Sequence, residues 1–547
     1  MFDGSLPGPT AMGTVSDSVL VQSITGWAAT ASAAEARKLA AIAELHRRVV
    51  GGEFRERLAI DDTDAAAAHV SCALTLRHGK AVGLIDLAVT LRDRLPKVGA
   101  RFLAGEISAG MIATIAWRTF LVGQAALAAI DTALAEHAPT WGNLSDAKLA
   151  QAIDVWIHRH DPDAVRRARN AMRGRYFNVG DYTDENTGTV TVHGRVSLAD
   201  AALMQQRLAI MIATPCPDDP RTNDQRRADA VGAAMGLGVF FLACTCPDPD
   251  CAAKVDDGRA SSITIHVIAD SDSLHAEPDP QMHGDAPIEA APAPPGPPAQ
   301  PTPTAEPPQL SPSDPEPHPV PPERKPALIP GFNGAILPAP LLAELVLHGA
   351  KIRLVDTLNL KTEPRYKPST ALARFVRTRD MTCRFPGCDR PAVYSDLDHT
   401  QPWPAGSTHP ANIKCYCRTH HLIKTFLPGW SDHQHPDGTL TVVTPAGLRY
   451  TTKPLTALLF PHWNTTTGPP PPPPPSHQAS PSRPGRQLMM PTRRRTRAQN
   501  RAARVTAERT YNATQRALEQ SARQATEAAA ADQSFRRPGY GDDPPPF

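Results

Sequence analysis

The chain has 547 residues, too many for one ordinary domain, yet 58 prolines and 5% aromatic content place long segments outside any packed core. A net charge of +2, from 57 basic and 55 acidic residues, excludes recognition of a polyanion by overall charge, so the distribution of charge matters more. Nine cysteines, an odd number grouped at short spacings, favour metal ligation over a disulfide framework.

The N-terminus, MFDGSLPGPTAMG, has no basic segment leading into an apolar one, so no signal peptide is expected. With no run long enough to span a membrane, the chain is assigned to the cytoplasm. Residues 1–23 are read as disordered and 24–275 as a mainly α domain carrying a small β element. In ASAAEARKLAAIAELHRR, Ser32 and Glu35 have capping-box spacing ahead of Leu39, Ile42 and Leu45 on one face. LIDLAVTLRDRLPKV continues that periodicity until Pro96, and HVSCALTLRHGKAVGLIDLA has the form of a helical hairpin turning at LRHGK. DAALMQQRLAIMIAT and DQRRADAVGAAMGLGVFFL give two further helices. TGTVTVHGRV and SITIHVIAD have strand character. Cys244, Cys246 and Cys251 offer three thiols with no nearby histidine, a weak metal signal.

Nineteen prolines between Pro278 and Pro326 mark an extended linker, assigned to residues 276–328. Order is expected to return over 329–463: LPAPLLAELVLHGAKIRLV suggests a helix and a short strand, and GTLTVVTPAGLRYTT a hairpin. Residues 464–547 read as a disordered Pro- and Arg-rich tail. Between Pro481 and Arg509 it holds nine arginines and one acid, Glu508, the footprint of a phosphate-binding segment.

The segment between the hairpin and the linker carries the chemistry: TCRFPGCDRPAVYSDLDHTQPWPAGSTHPANIKCYCRTHHLIKTF. Cys383 and Cys388, and then Cys417 and His420, form two close pairs about thirty residues apart, a common way to assemble a tetrahedral zinc site. Cys415 is left as a spare thiol at an apolar position. Between and beside the pairs lie Asp398, His399, Asn412 and His421, which a purely structural zinc site does not require.

Asp-His, an Asn thirteen residues after the His, and a His nine further on resemble the motif of HNH endonucleases, whose ββα-metal domain often carries a structural zinc. Behind a helical domain, the block is similar to a multicopy repeat family of mycobacteria and other actinobacteria. That family pairs a helical domain of unknown function with an HNH domain. The resemblance implies a zinc-stabilised α+β domain that hydrolyses phosphodiester bonds in DNA. Asp398 and His421 would hold one divalent ion, Mg²⁺ or Mn²⁺. His399 would act as general base and Asn412 would orient it. Cys383, Cys388, Cys417 and His420 would bind the structural Zn²⁺, and Lys424 would contact phosphate. The helical domain would supply substrate placement or self-association. Two competing expectations are a catalytically inactive zinc-containing DNA-binding module and an interaction scaffold built on the helical domain.

Overall fold

Small and aliphatic side chains at helical spacing draw the first third of the chain into a bundle. The structure, a computed structural model, describes residues 6–51, 53–142, 144–165, 176–180, 190–235, 241–255, 267–277, 327–329, 335–347, 350–355, 360–471 and 489–535. Seven main helices come first: α1 (Asp17–Val49), α2 (Asp62–Leu74), α3 (His78–Val89), α4 (Pro96–Leu103), α5 (Ala109–Arg118), α6 (Gln124–His137) and α7 (Asp146–His160). Their inward faces, including Leu39, Ile85, Phe102, Ile112 and Ile115, form one buried core with Leu95 and Leu121 of the connecting turns.

The start of α1 differs from the sequence reading. The helix begins at Asp17, inside the stretch expected to be disordered, and Ser32 lies within it. The Ser32 hydroxyl donates to the Ala28 carbonyl at 2.9 Å, bonding back into the helix rather than capping it. The hairpin expected from LRHGK is present as α2 and α3. Its first helix opens on a true capping box, with Asp61 accepting from the Asp64 amide and the Asp64 carboxylate accepting from the Asp61 amide. Pro96 ends one helical run and starts α4, whose orphan amides at Lys97 and Val98 donate to buried Asp131 at 3.0 and 3.1 Å.

A smaller unit follows. Strands β1 (Tyr176–Val179) and β2 (Val192–Arg195) pair antiparallel. Helices α8 (Leu198–Ile212) and α9 (Asn223–Ala234) then pack through Leu208, Met211, Ala230, Ala233 and Leu242. The expected strand over SITIHVIAD lies mostly outside the described residues; Ile268 makes a single bridge to Leu328. The proline linker between 278 and 326 also lies outside them. Its expected end is two residues late, because β3 (Ala327–Ile329) already pairs with β4 (Ala335–Leu337). Helix α10 (Ala339–Leu347) follows, and residues 350–355 lack the strand expected there.

The C-terminal domain is built on α11 (Thr370–Asp380), a two-stranded sheet of β5 (Asp396–His399) and β6 (Ile413–Tyr416), and α12 (Arg418–Phe426) directly after it. A meander of β7 (Ser431–Gln434), β8 (Leu440–Val443) and β9 (Arg449–Thr452) completes it, with the expected hairpin turn at Pro445 to Gly447. A buried polar knot fastens these pieces. Arg379 donates to Asp380 at 2.8 Å and to the Pro410 and Ile413 carbonyls. Arg384 reaches the same carboxylate at 3.1 Å, and the Cys415 amide donates to its other oxygen. Burial opposes ionisation of Asp380, but the two guanidiniums hold its carboxyl below the usual range.

The helical and C-terminal domains share a core. Leu58, Ile60, Ala68 and Cys72 bury against Phe385, Tyr416, Leu422, Ile423 and Trp430. Gly387, at φ +75°, lets the α2–α3 turn approach so closely that a Cβ there would lie 2.7 Å from the Leu76 backbone. Arg77 pairs with Asp389 across the same junction.

The expectation of a disordered tail fails from Arg497 onward. Residues Arg497–Phe535 form α13, and Val505 packs on the bundle core. Its arginines find carboxylates within the chain. Arg493 and Arg497 grip Asp61 and Asp64, Arg509 pairs with Asp161, and Arg516 pairs with Asp163. Three of the nine arginines between Pro481 and Arg509 thus serve docking to carboxylates within the chain. No helix among the described residues is long and apolar enough to cross a membrane.

Candidate metal centre and histidine site

Two knuckles converge at the foot of α12. The first is the turn from Cys383 to Cys388, and the second is the step from β6 into α12, where Cys417 is the N-cap. The ligand atoms of Cys383, Cys388, Cys417 and His420 all lie within 4.8 Å of one another. His420 Nδ1 is 3.5 Å from Cys383 Sγ and 3.3 Å from Cys417 Sγ. Around a tetrahedral zinc with ordinary bond lengths, sulfur and nitrogen ligands stand roughly 3.6 Å apart, so these residues fit one ion. His420 is fully buried, its ring flat against Phe385 at 3.9 Å and edge-on to His78 at 5.5 Å. The Cys417 amide donates to Cys383 Sγ at 3.2 Å, the kind of outer bond that steadies a thiolate ligand. Cys415 stays outside the cluster, buried with Leu372, Phe375 and Val376.

The other predicted residues lie on β5, just before β6 and on α12. Period-two alternation on β5 sends Asp398 and His399 to different faces. Asp398 meets α12: His421 Nε2 lies 3.4 Å from its Oδ1, while His421 Nδ1 donates to Asp396 Oδ2 at 2.8 Å. A histidine held by a carboxylate through Nδ1–H keeps its Nε2 lone pair directed at the site, the arrangement metal-ligating histidines use.

The second Asp398 oxygen is already engaged. Lys414 and Lys424 both donate to Oδ2 at 2.8 Å. Lys424, expected to contact phosphate, instead bonds Asp398 and the His399 carbonyl. Lys414 is fully buried and also pairs with Asp432 of β7 at 3.0 Å. Burial raises the Asp398 pKa, but the two lysines and His421 outweigh it and bring the carboxyl to about 2.

His399 faces a different set. Thr408 donates to the Arg365 carbonyl, so its Oγ1 accepts from His399 Nε2–H at 2.9 Å. That leaves Nδ1 as the ring nitrogen with a free lone pair. Burial lowers the His399 pKa to about 4, against the pull of Asp398, so the imidazole is neutral near pH 7. Tyr366 stacks on the ring at 5.3 Å, with Trp403 edge-on to Tyr366.

Asn412 does not touch the His399 ring. Its side chain accepts from the Gln401 amide at 2.8 Å and donates to the Gln401 and Ser407 carbonyls at 3.1 and 2.8 Å. The expected orienting role is therefore indirect: Asn412 staples the β5–β6 loop, while Thr408 and Tyr366 set the ring. Gly406 is the close-approach point of that loop, since a Cβ there would lie 2.1 Å from the Gln401 carbonyl oxygen.

Sequence reasoning missed Lys414, Asp432, Thr408 and Tyr366. Only Lys414 had a readable signal, sitting opposite Asp398 in the hairpin register. A second cluster was also underestimated. Cys216 joins Cys244, Cys246 and Cys251, with all four ligand atoms within 4.8 Å of one another.

Residues 27–291 match the family described as "Domain of unknown function (DUF222)". The chain is 48% identical over 515 residues to "Uncharacterized protein MT2160" of Mycobacterium tuberculosis, covering 94% of this chain and 91% of that protein. It is 46% identical over 514 residues to "Uncharacterized protein Rv3776" of the same species, covering 93% of each. No solved structure matches it.

Proposed function

The chain belongs to the same family as these uncharacterized mycobacterial proteins, with the DUF222 domain over its N-terminal half, and we propose that its C-terminal domain is an HNH-type, metal-dependent endonuclease acting on DNA. The observation that carries this reading is the split between the two halves of β5–β6–α12. Asp398 and His421 face each other at 3.4 Å on one side, and neutral His399 stands on the other. Two oxygen and nitrogen donors beside each other suit one hard divalent ion with open positions for phosphate and water. Such an ion would be held by Asp398 Oδ1 and His421 Nε2, and would offset charge developing on the scissile phosphate.

The remaining work falls to side chains. His399 Nδ1 accepts a proton from water, and Thr408 holds the ring through Nε2–H throughout. The Lys414 and Lys424 ammonium groups keep Asp398 ionised at any physiological pH. Phosphate contact passes from Lys424 to exposed Arg365 and Lys367, which flank Tyr366 over the histidine. Exposed Tyr366 and Trp403 offer faces on which unstacked bases can lie. Cys383, Cys388, Cys417 and His420 would hold a structural Zn²⁺, which would fix the start of α12 and hence His421. Incubation of the full chain with supercoiled plasmid and Mg²⁺ or Mn²⁺ should give nicking that a chelator stops. Intact plasmid in every metal, with a retained gel shift, would instead favour the inactive DNA-binding module.

A further inference from the structure

We propose that the unit of α8 and α9 is closed by a second, independent metal site, a four-thiolate Zn²⁺ centre of Cys216, Cys244, Cys246 and Cys251. The first ligand sits in the turn after α8, and the other three come from the segment 244–251. Cys216 and Cys244 Sγ atoms are 3.4 Å apart, and no pair of the four exceeds 4.8 Å. Sulfurs around tetrahedral zinc stand roughly 3.8 Å from each other, whereas a disulfide requires about 2 Å. All four thiols are unpaired by disulfides. The spacing belongs to ligands around an ion.

The surroundings are built for that purpose. Asp219, buried three residues after Cys216, accepts from the Arg221 guanidinium at 3.0 and 2.7 Å and from the Thr245 amide at 2.9 Å. Arg221 also donates to the Ala243 carbonyl at 2.7 Å. This pair therefore ties the loop of the first ligand to the extended segment bearing the second and third. The Cys246 amide donates to Cys244 Sγ at 3.4 Å, and the Cys244 amide to the Ala253 carbonyl at 2.9 Å, closing the knuckle behind Cys251. Amide-to-sulfur bonds and a fixed outer shell are what hold thiolate ligands in register.

Need and chemistry agree. Among the described residues, the buried apolar core of this unit is Leu208, Met211, Ala230, Ala233 and Leu242, with Ile212, Val231 and Ala234 packed against it. A metal site adds stability to a core of that size. Four soft donors favour Zn²⁺ over Mg²⁺ or Ca²⁺, and with every position filled by protein the site is structural rather than catalytic.

The test uses the full chain, purified under reducing conditions, with zinc measured per chain. Two ions are expected in the wild type and one in Cys244→Ser/Cys246→Ser. Equal zinc in both, or recovery of these four cysteines as two disulfides from protein isolated under reductant, overturns the proposal. Should the variant fail to fold, Co²⁺ substitution of the wild type decides alone. Thiolate-to-cobalt charge transfer should correspond to seven Co–S bonds per chain, four here and three at Cys383, Cys388 and Cys417. An intensity corresponding to three or fewer overturns it.

Discussion

Replacing Arg493 and Arg497 together by Ala should release the start of α13 from the α2 hairpin without unfolding either domain. The two guanidiniums make four contacts with Asp61 and Asp64, at 2.6, 2.7, 2.6 and 2.5 Å. Both carboxylates are 5% exposed, so stripping their partners costs about 3–5 kcal/mol by analogy with buried pairs. Arg497 is 40% exposed, and solvent screening lowers the figure to about 2–3 kcal/mol. The carboxylates also keep partners: Asp61 accepts from the Asp64 amide, and Asp64 from His78 Nε2. Amide exchange around residues 491–500 should therefore accelerate about 30- to 150-fold, as roughly 1.4 kcal/mol per tenfold implies. Farther along, Arg509 with Asp161 and Asn512 with the Asp163 and Val165 carbonyls should keep α13 protected. The same release should follow acidification. Burial opposes ionisation of Asp64, but His78 and Arg497 depress its pKa well below the ordinary value. The clasp is accordingly complete above about pH 4 and is lost as pH falls toward the depressed value. Unchanged exchange in the double variant, or equal loss along the whole helix, would refute this reasoning.

Asp380→Asn leaves Arg379 and Arg384 buried without a counter-charge. It should cost about 3–5 kcal/mol by denaturant titration, and a loss below 1 kcal/mol would show that the knot is not the fastening described. Gly406→Ala drives a methyl group into the Gln401 carbonyl and the Asn412 amide. It should lower stability by about 1–3 kcal/mol and suppress cleavage while leaving zinc content intact; full cleavage activity in that variant would contradict the stapling role of the loop.

What the sequence made legible was local. Cys383 with Cys388, and Cys417 with His420, are knuckles whose ligands are near neighbours, so spacing alone brought all four together. The helical hairpin of α2 and α3 was equally readable, because its turn residues lie between two periodic runs. Most of the failures share a physical cause, namely partners distant in sequence. Cys216 lies 28 residues before Cys244 and looked solitary until a buried Asp219–Arg221 pair joined their loops. Ser32 and Glu35 have capping-box spacing, but a helix that starts at Asp17 simply passes through them. The arginine tail gave no sign that Asp61 and Asp161 would bind it. Lys424 had the position of a phosphate ligand, yet the buried Asp398 carboxylate on β5, 26 residues earlier, competes for its ammonium.

The most direct test of the nuclease account is plasmid nicking by wild type and His399→Ala, side by side, at equal zinc content and with Mn²⁺ in excess. Loss of a general base predicts a fall of about 10²- to 10⁴-fold in nicking rate with DNA binding unchanged. Equal rates in the two proteins would contradict the assignment of His399, and with it the catalytic reading of the β5–β6–α12 site.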